Sequence, residues 1–171
     1  IIGGSSNFLN ANGHLIRSSN IIGGISNTIE GNVSNSSLIG GQYNRIYATG
    51  SQPTNYDSVI IGGDHNEINT NLNIPNIPGQ YESKSVISGG SYNVIYNSLR
   101  SSIIGGQYNF MGTSSNSGII LGSNNQIIGG SASITFGDPK NSVIIAGDHG
   151  KIENSFGSVI LGGTNISVKS T

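Results

Sequence analysis

Charge is scarce in this 171-residue chain: charged side chains make up 9% of it, seven basic and eight acidic, for a formal net charge of −1. They are scattered singly, so no basic patch exists to meet a phosphate backbone, and nucleic-acid binding is not expected. Charge-driven disorder is excluded as well, because it needs high net charge together with low hydrophobicity. Cysteine is absent, which removes disulfides, thiolate metal sites and redox chemistry. No apolar run approaches the ~18 residues of a membrane span, so this segment is not expected to insert into a bilayer. No charged leader with a following apolar stretch opens the chain; Ile1-Ile2-Gly3-Gly4 already lies inside a repeat, as in a fragment of a longer protein. Ala and Leu are few, while β-branched residues abound and Gly numbers 27. That composition favours strands and turns over helices.

What the chain has instead is one short motif, repeated. Its clearest copy is Ser58-Val59-Ile60-Ile61-Gly62-Gly63-Asp64-His65-Asn66-Glu67-Ile68, and earlier copies run through Ile21-Ile22-Gly23-Gly24 and Leu38-Ile39-Gly40-Gly41. Later ones begin at Val86, Ser102, Ile119, Ile134, Val143 and Val159, giving ten with the partial first copy. Most steps are 15 to 17 residues, with longer ones between Gly40, Gly62 and Gly89. A period near 16 with two short apolar segments predicts an all-β, parallel β-solenoid (a β-roll) of about ten two-strand coils, forming one domain over residues 1–171. The first strand ends at Gly-Gly, where positive φ costs least. The second is the Asn-x-Ile segment, followed by a polar return. Residues 47–57 and 69–84 are expected to leave the stack as loops, since three of the four prolines (Pro53, Pro75, Pro78) lie there.

Period-2 alternation sorts the side chains into columns. The column of Ile61 (Ile2, Ile22, Ile39, Ser88, Ile104, Leu121, Phe136, Ile145, Leu161) is expected to face the second-strand column Leu9, Ile29, Ile46, Ile68, Ile95, Met111, Ile128 and Ile152 across a thin core. The opposite face is apolar too: Ile1, Ile21, Leu38, Ile60, Ile87, Ile103, Ile120, Thr135, Ile144 and Ile160. A strand apolar on both faces is buried on both faces. Ile21, Leu38, Ile60, Ile87, Ile103, Ile120, Ile144 and Ile160 are therefore expected to form an oligomer interface.

Repeats of the form Ser-Val-x-Ile-Gly with small, polar returns resemble the heads of trimeric autotransporter adhesins (YadA-like heads), over nearly the whole chain. The Gly-Gly-x-x-Asn-x-Ile variants are similar to repeats in bacteriophage and viral fibre proteins. The resemblance implies a left-handed β-roll, a homotrimer, an extracellular position on a microbial surface or virion fibre, and attachment to a host glycan or surface protein. The copies here are longer than the compact adhesin repeat, and they carry Ile where adhesin heads often have Ala.

Among polar features, Asn7, Asn27, Asn44, Asn66, Asn93 and Asn109 recur most regularly, and a structural amide ladder along the axis is expected of them. One position earlier stand Tyr43, His65, Tyr92 and Tyr108, an aromatic stripe that suits sugar rings or cross-rung stacking. With Tyr47, Tyr56 and Tyr81 of the two loops, these are the candidate ligand contacts. Asp64-His65 and Asp148-His149 suggest a metal or catalytic dyad only if neighbouring side chains converge, whereas strand neighbours point to opposite faces. No cofactor is expected: the calcium nonapeptide's third Gly and its Asp are missing, and no helix follows the glycines to bind a nucleotide. A polysaccharide-cleaving β-helix needs convergent carboxylates, and eight scattered acids do not supply them. The expected function is that of a fibre or adhesin-head segment, not an enzyme; the alternative is a spacer or filament subunit that binds nothing.

Overall fold

Short Ile-rich segments of successive copies lie side by side, parallel and in register, in a computed structural model. It describes residues 1–171 apart from 13–15, 50–54, 71–83, 130–140, 146, 156 and 170–171, with backbone alone at 55–56. Nineteen strands of two to four residues make the structure, with no helix among the described residues. The first sheet stacks eight strands, from Asn20–Ile22 through Val59–Ile61 to Val159–Leu161, and Ile2 bridges onto its end at Ile22. The second stacks nine, from Phe8–Asn10 through Glu67–Thr70 to Ser167–Lys169. A small third pair, Val33–Ser34 with Asn55–Tyr56, sits in the return. The protein is a parallel β-solenoid.

The register is strict. Ile60 pairs with Leu38 on one side and Ile87 on the other, and Ile68 with Ile46 and Ile95. Backbone groups are satisfied between coils, as where the Val59 amide donates to the Ser85 carbonyl at 2.9 Å and the Gly62 amide to Ile39 at 2.7 Å. Among the described residues nine coils are stacked. Gly118–Ile120 pairs directly with Val143–Ile145, and the copy expected at Ile134 lies outside the described residues.

The two faces of the first strand are the reverse of expectation. Ile21, Leu38, Ile60, Ile87, Ile103 and Ile144 are 0% exposed within a single chain, and Ile160 is also buried. They form the core with Ile29, Ile46, Ile68, Ile95, Met111, Ile127 and Ile152, so they cannot meet a partner chain. The Ile61 column points outward. The physical reason lies in the polar neighbours. Ser58, two residues before Ile60, is buried and its amide donates to the Ser36 hydroxyl oxygen of the adjacent coil at 3.1 Å. With Ser58 inside, alternation places Val59 outside, Ile60 inside and Ile61 outside. Ile120 was assigned one step off: Ile119 pairs with Ile103 and is the buried residue, while Ile120 pairs with Ile104 on the outer face. By the same shift Ile127, not Ile128, pairs with Met111. Thr135 and Phe136 lie outside the described residues.

Candidate functional site

The corner between the strands is built from Gly-Gly-x-x-Asn as a unit. From Asn27 onward each ladder Asn is buried at the bend and joins two coils: the Asn66 backbone amide donates to Asn44 Oδ1 at 2.9 Å, and the Asn93 amide to Asn66 Oδ1 at 3.1 Å. Asn66 Nδ2 donates to the Gly90 carbonyl of the next corner at 3.2 Å. The chain of amides runs through Asn7, Asn27, Asn44, Asn66, Asn93 and Asn109, continues to Asn125, and ends where Asn125 Oδ1 accepts the Gly150 amide at 3.0 Å. The amides saturate corner groups that would otherwise be buried without a partner. The second glycine of each pair is required by this arrangement. At Gly63 a Cβ would collide with the Asn66 side-chain amide and the Gly90 carbonyl. At Gly62 it would meet nothing within 4 Å.

The residue before each Asn adopts a left-handed conformation, and its side chain leaves the stack at the corner. Tyr43, His65, Tyr92 and Tyr108 have φ of 53–55°. In consecutive coils their rings stack at 4.7, 4.8 and 5.1 Å between centroids, with interplanar angles of 29, 13 and 9°. This geometry decides what the stripe can do. The ring faces cover one another, so a sugar cannot lie flat on the interior rings. The next coils carry Ser26 and Asn124 at this position, leaving an outer face free of an aromatic neighbour only on Tyr43 and Tyr108. Ring edges and hydroxyls are what the ladder offers, and all three tyrosines are exposed.

The left-handed bend also breaks strand alternation, so the Asp-His neighbours do converge, against expectation. His65 Nδ1 lies 2.8 Å from Asp64 Oδ1, and His149 Nδ1 3.2 Å from Asp148 Oδ1. Ser123 Oγ donates to Asp148 Oδ1 at 2.8 Å. Here the carboxylate stands between serine and histidine, the reverse of a Ser-His-Asp triad, in which the imidazole stands between the other two. Among the described residues no group of three or more His, Cys, Asp or Glu is placed to hold a metal ion.

Of the three loop tyrosines, Tyr47 stands apart from this edge. Tyr47 belongs to the strand Arg45–Ala48, where the Arg45 guanidinium lies 3.9 Å over its ring and the Asn69 amide donates to its hydroxyl. Burial first, then the adjacent Glu67 carboxylate, hold its phenol above the ordinary pKa of 10.0. Tyr56 lies in the strand Asn55–Tyr56, which has a described backbone only. Tyr81 lies outside the described residues.

The outer faces of the two sheets differ in chemistry. That of the second carries ion pairs, Arg45 with Glu30 at 2.6 Å and Lys151 with Glu153 at 3.2 Å. That of the first is formed by two columns, typified by Val59 and Ile61, and holds no charged residue among the described ones. Sequence reasoning missed this face by assigning it to the core. Fold and site together define an all-β repeat scaffold with one aromatic edge and one outer face free of charge among the described residues. No family model, curated protein or solved structure matches this chain.

Proposed function

We propose that the chain is a rigid, self-associating segment of an extracellular fibre or adhesin head, which attaches to a host glycan or surface protein and is not an enzyme. The observation that carries the reading is the aromatic ladder on a nine-coil stack. At ~4.8 Å per rung such a stack is a rod roughly 40 Å long, and it presents exposed rings at fixed spacing along one edge. Bulky side chains in left-handed backbone carry a steric cost, and an edge contact through tyrosine hydroxyls is a use that offsets it. The resemblance to adhesin heads supports a homotrimer, a cell-surface or virion location and multivalent attachment, in which weak contacts gain from high effective concentration.

The test is binding of fluorescent protein to host cells and to a glycan array. Replacing Tyr43, Tyr92 and Tyr108 by Ser, with residues 71–80 deleted, is expected to abolish binding while the β circular dichroism persists. Unchanged binding by that variant removes the contact from this edge. Absence of binding by the unaltered chain favours the second reading, a spacer or filament subunit, which the regular coil-to-coil pairing also supports.

A further inference from the structure

We propose that the break in the aromatic ladder between Tyr108 and His149 is a slot for a single neutral sugar ring. This rests on the reading of the aromatic edge as the host contact. It adds where on that edge a ring is seated and which class of sugar fits.

The slot follows from the register. Tyr108, Asn124 and His149 hold the same place in three consecutive coils, with φ of 55, 54 and 58°. The Asn124 amide donates to the Gln107 carbonyl at 3.0 Å and the His149 amide to that of Ser123 at 3.1 Å. Tyr43, His65, Tyr92 and Tyr108 show what rings do at this place: they stack, one per coil, at 4.7–5.1 Å. Asn124 supplies no ring, so Tyr108 and His149 stand two rungs apart, roughly 9–10 Å. That leaves room for one ring at the ladder's own spacing. The second wall is set as His65 is, with His149 Nδ1 3.2 Å from the preceding Asp carboxylate where His65 has 2.8 Å. Both walls are open to a ligand, since Tyr108 is 54% exposed and the His149 side chain 55%. The far end of the ladder differs. Beyond Tyr43 come Ser26 and Ser6, so Tyr43 offers a single face and no opposing wall.

The chemistry of the guest comes from the walls and the rim. Aromatic faces are negative, and a pyranose meets them with C–H hydrogens on both of its sides. The rim asks for hydroxyls. Asn124 is exposed, its side-chain amide bonds to nothing among the described residues, and it offers both donors and an acceptor. Asp148 Oδ1 is engaged by the Ser123 hydroxyl and by His149, which leaves Oδ2 to accept from a sugar hydroxyl. Charge narrows the class further. No Lys or Arg stands in the corner columns of Asp148 and His149 in any described coil. A phosphate-bearing base or an acidic sugar would meet a carboxylate with no cation to offset it.

Saturation-transfer NMR on the whole chain tests the proposal, with the methyl glycosides of glucose, galactose and mannose as probes. The methyl glycoside of N-acetylneuraminic acid and adenosine serve as the acidic and the flat heteroaromatic controls. At least one neutral glycoside is expected to receive saturation at its ring C–H hydrogens, and neither control to exceed it. Asn124→Tyr places in the slot the residue this chain uses at 43, 92 and 108; it should abolish the transfer while the β circular dichroism persists. His149→Ser, a residue the same column holds at 6 and 26, removes one wall and should weaken binding about ten-fold; it replaces Asn124→Tyr should that variant fail to fold. Tyr43→Ser should change nothing. No transfer to any neutral glycoside, stronger transfer to adenosine, or transfer undiminished in both slot variants overturns the proposal. Host-cell binding kept by Asn124→Tyr but lost on replacing the three tyrosines overturns the slot and leaves the edge reading standing. Sugar binding that obeys the slot variants in a chain that binds no cell supports the slot and overturns the host reading alone.

Discussion

The two sheets of this solenoid share one core and one register, yet among the described residues only the second carries charge on its outer face. The second sheet alternates as a half-solvated strand does: Glu67 out, Ile68 in, with charges paired across coils, as Arg45 with Glu30 and Lys169 with Glu153. The first carries Val59 and Ile61 outward on either side of the buried Ile60. The difference teaches that an apolar outer column here is not required for folding. The second sheet folds in the same stack with Thr28, Arg45 and Glu67 in the equivalent outer places.

The sharpest way to break that comparison is to substitute adjacent residues of one strand. Ile60→Asn should lose about 3–5 kcal/mol of unfolding free energy, from the cavity and an amide buried without partners. Ile61→Asn should cost under about 1 kcal/mol. Urea unfolding followed by circular dichroism reads both, and equal losses would erase the assigned faces.

The glycine pair makes the next test, since its members differ in the same inner-versus-outer sense. Gly63→Ala should cost about 3 kcal/mol or more, because the Cβ meets backbone and the Asn66 amide and cannot be accommodated without spreading the coils. Gly62→Ala should cost only about 1 kcal/mol, the strain of positive φ. Thermal or urea unfolding of the two variants separates them.

The smallest effect belongs to the polar sheet. A phenol pKa raised in the folded state contributes stability that is fully present below the unfolded value, near pH 10, and is lost as pH rises through the folded value. Urea midpoints of the unaltered chain and of Tyr47→Phe, compared at about pH 9 and about pH 11, should therefore show the unaltered chain losing more. Parallel pH profiles would contradict the assigned environment of Tyr47.

Much of the architecture was legible because Gly, Asn and Ile recur at matched offsets, and each type answers one backbone demand. Strand pairing, the second-strand core column and the line of asparagines all follow from that recurrence. The inside of the first strand did not, since Ile60 and Ile61 are equally apolar and periodicity is blind to which one is buried. Two clues were available. Ser19, Ser36, Ser58, Ser85, Ser101, Ser117, Ser142 and Ser158 each stand two places before a core Ile or Leu, and anchoring on them also corrects Ile120 to Ile119. The column of Val59 contains Asn20, Ser37, Ser102 and Gly118, a mixture suited to the outer face that Val59 shares with Ile61. The aromatic stripe was visible, but its stacking was not. Ring orientation depends on a left-handed bend that alternation does not describe, and the same bend brought Asp64 against His65.

The asparagine chain keeps its spacing whatever the length of polypeptide between its members. Successive ladder bonds join residues 20, 17, 22, 27, 16, 16 and 25 positions apart. The scaffold thus counts coils and not residues. Its returns are open slots for splicing, in which a peptide epitope or a second domain can be displayed at a chosen height on the rod while the coils above and below keep their phase.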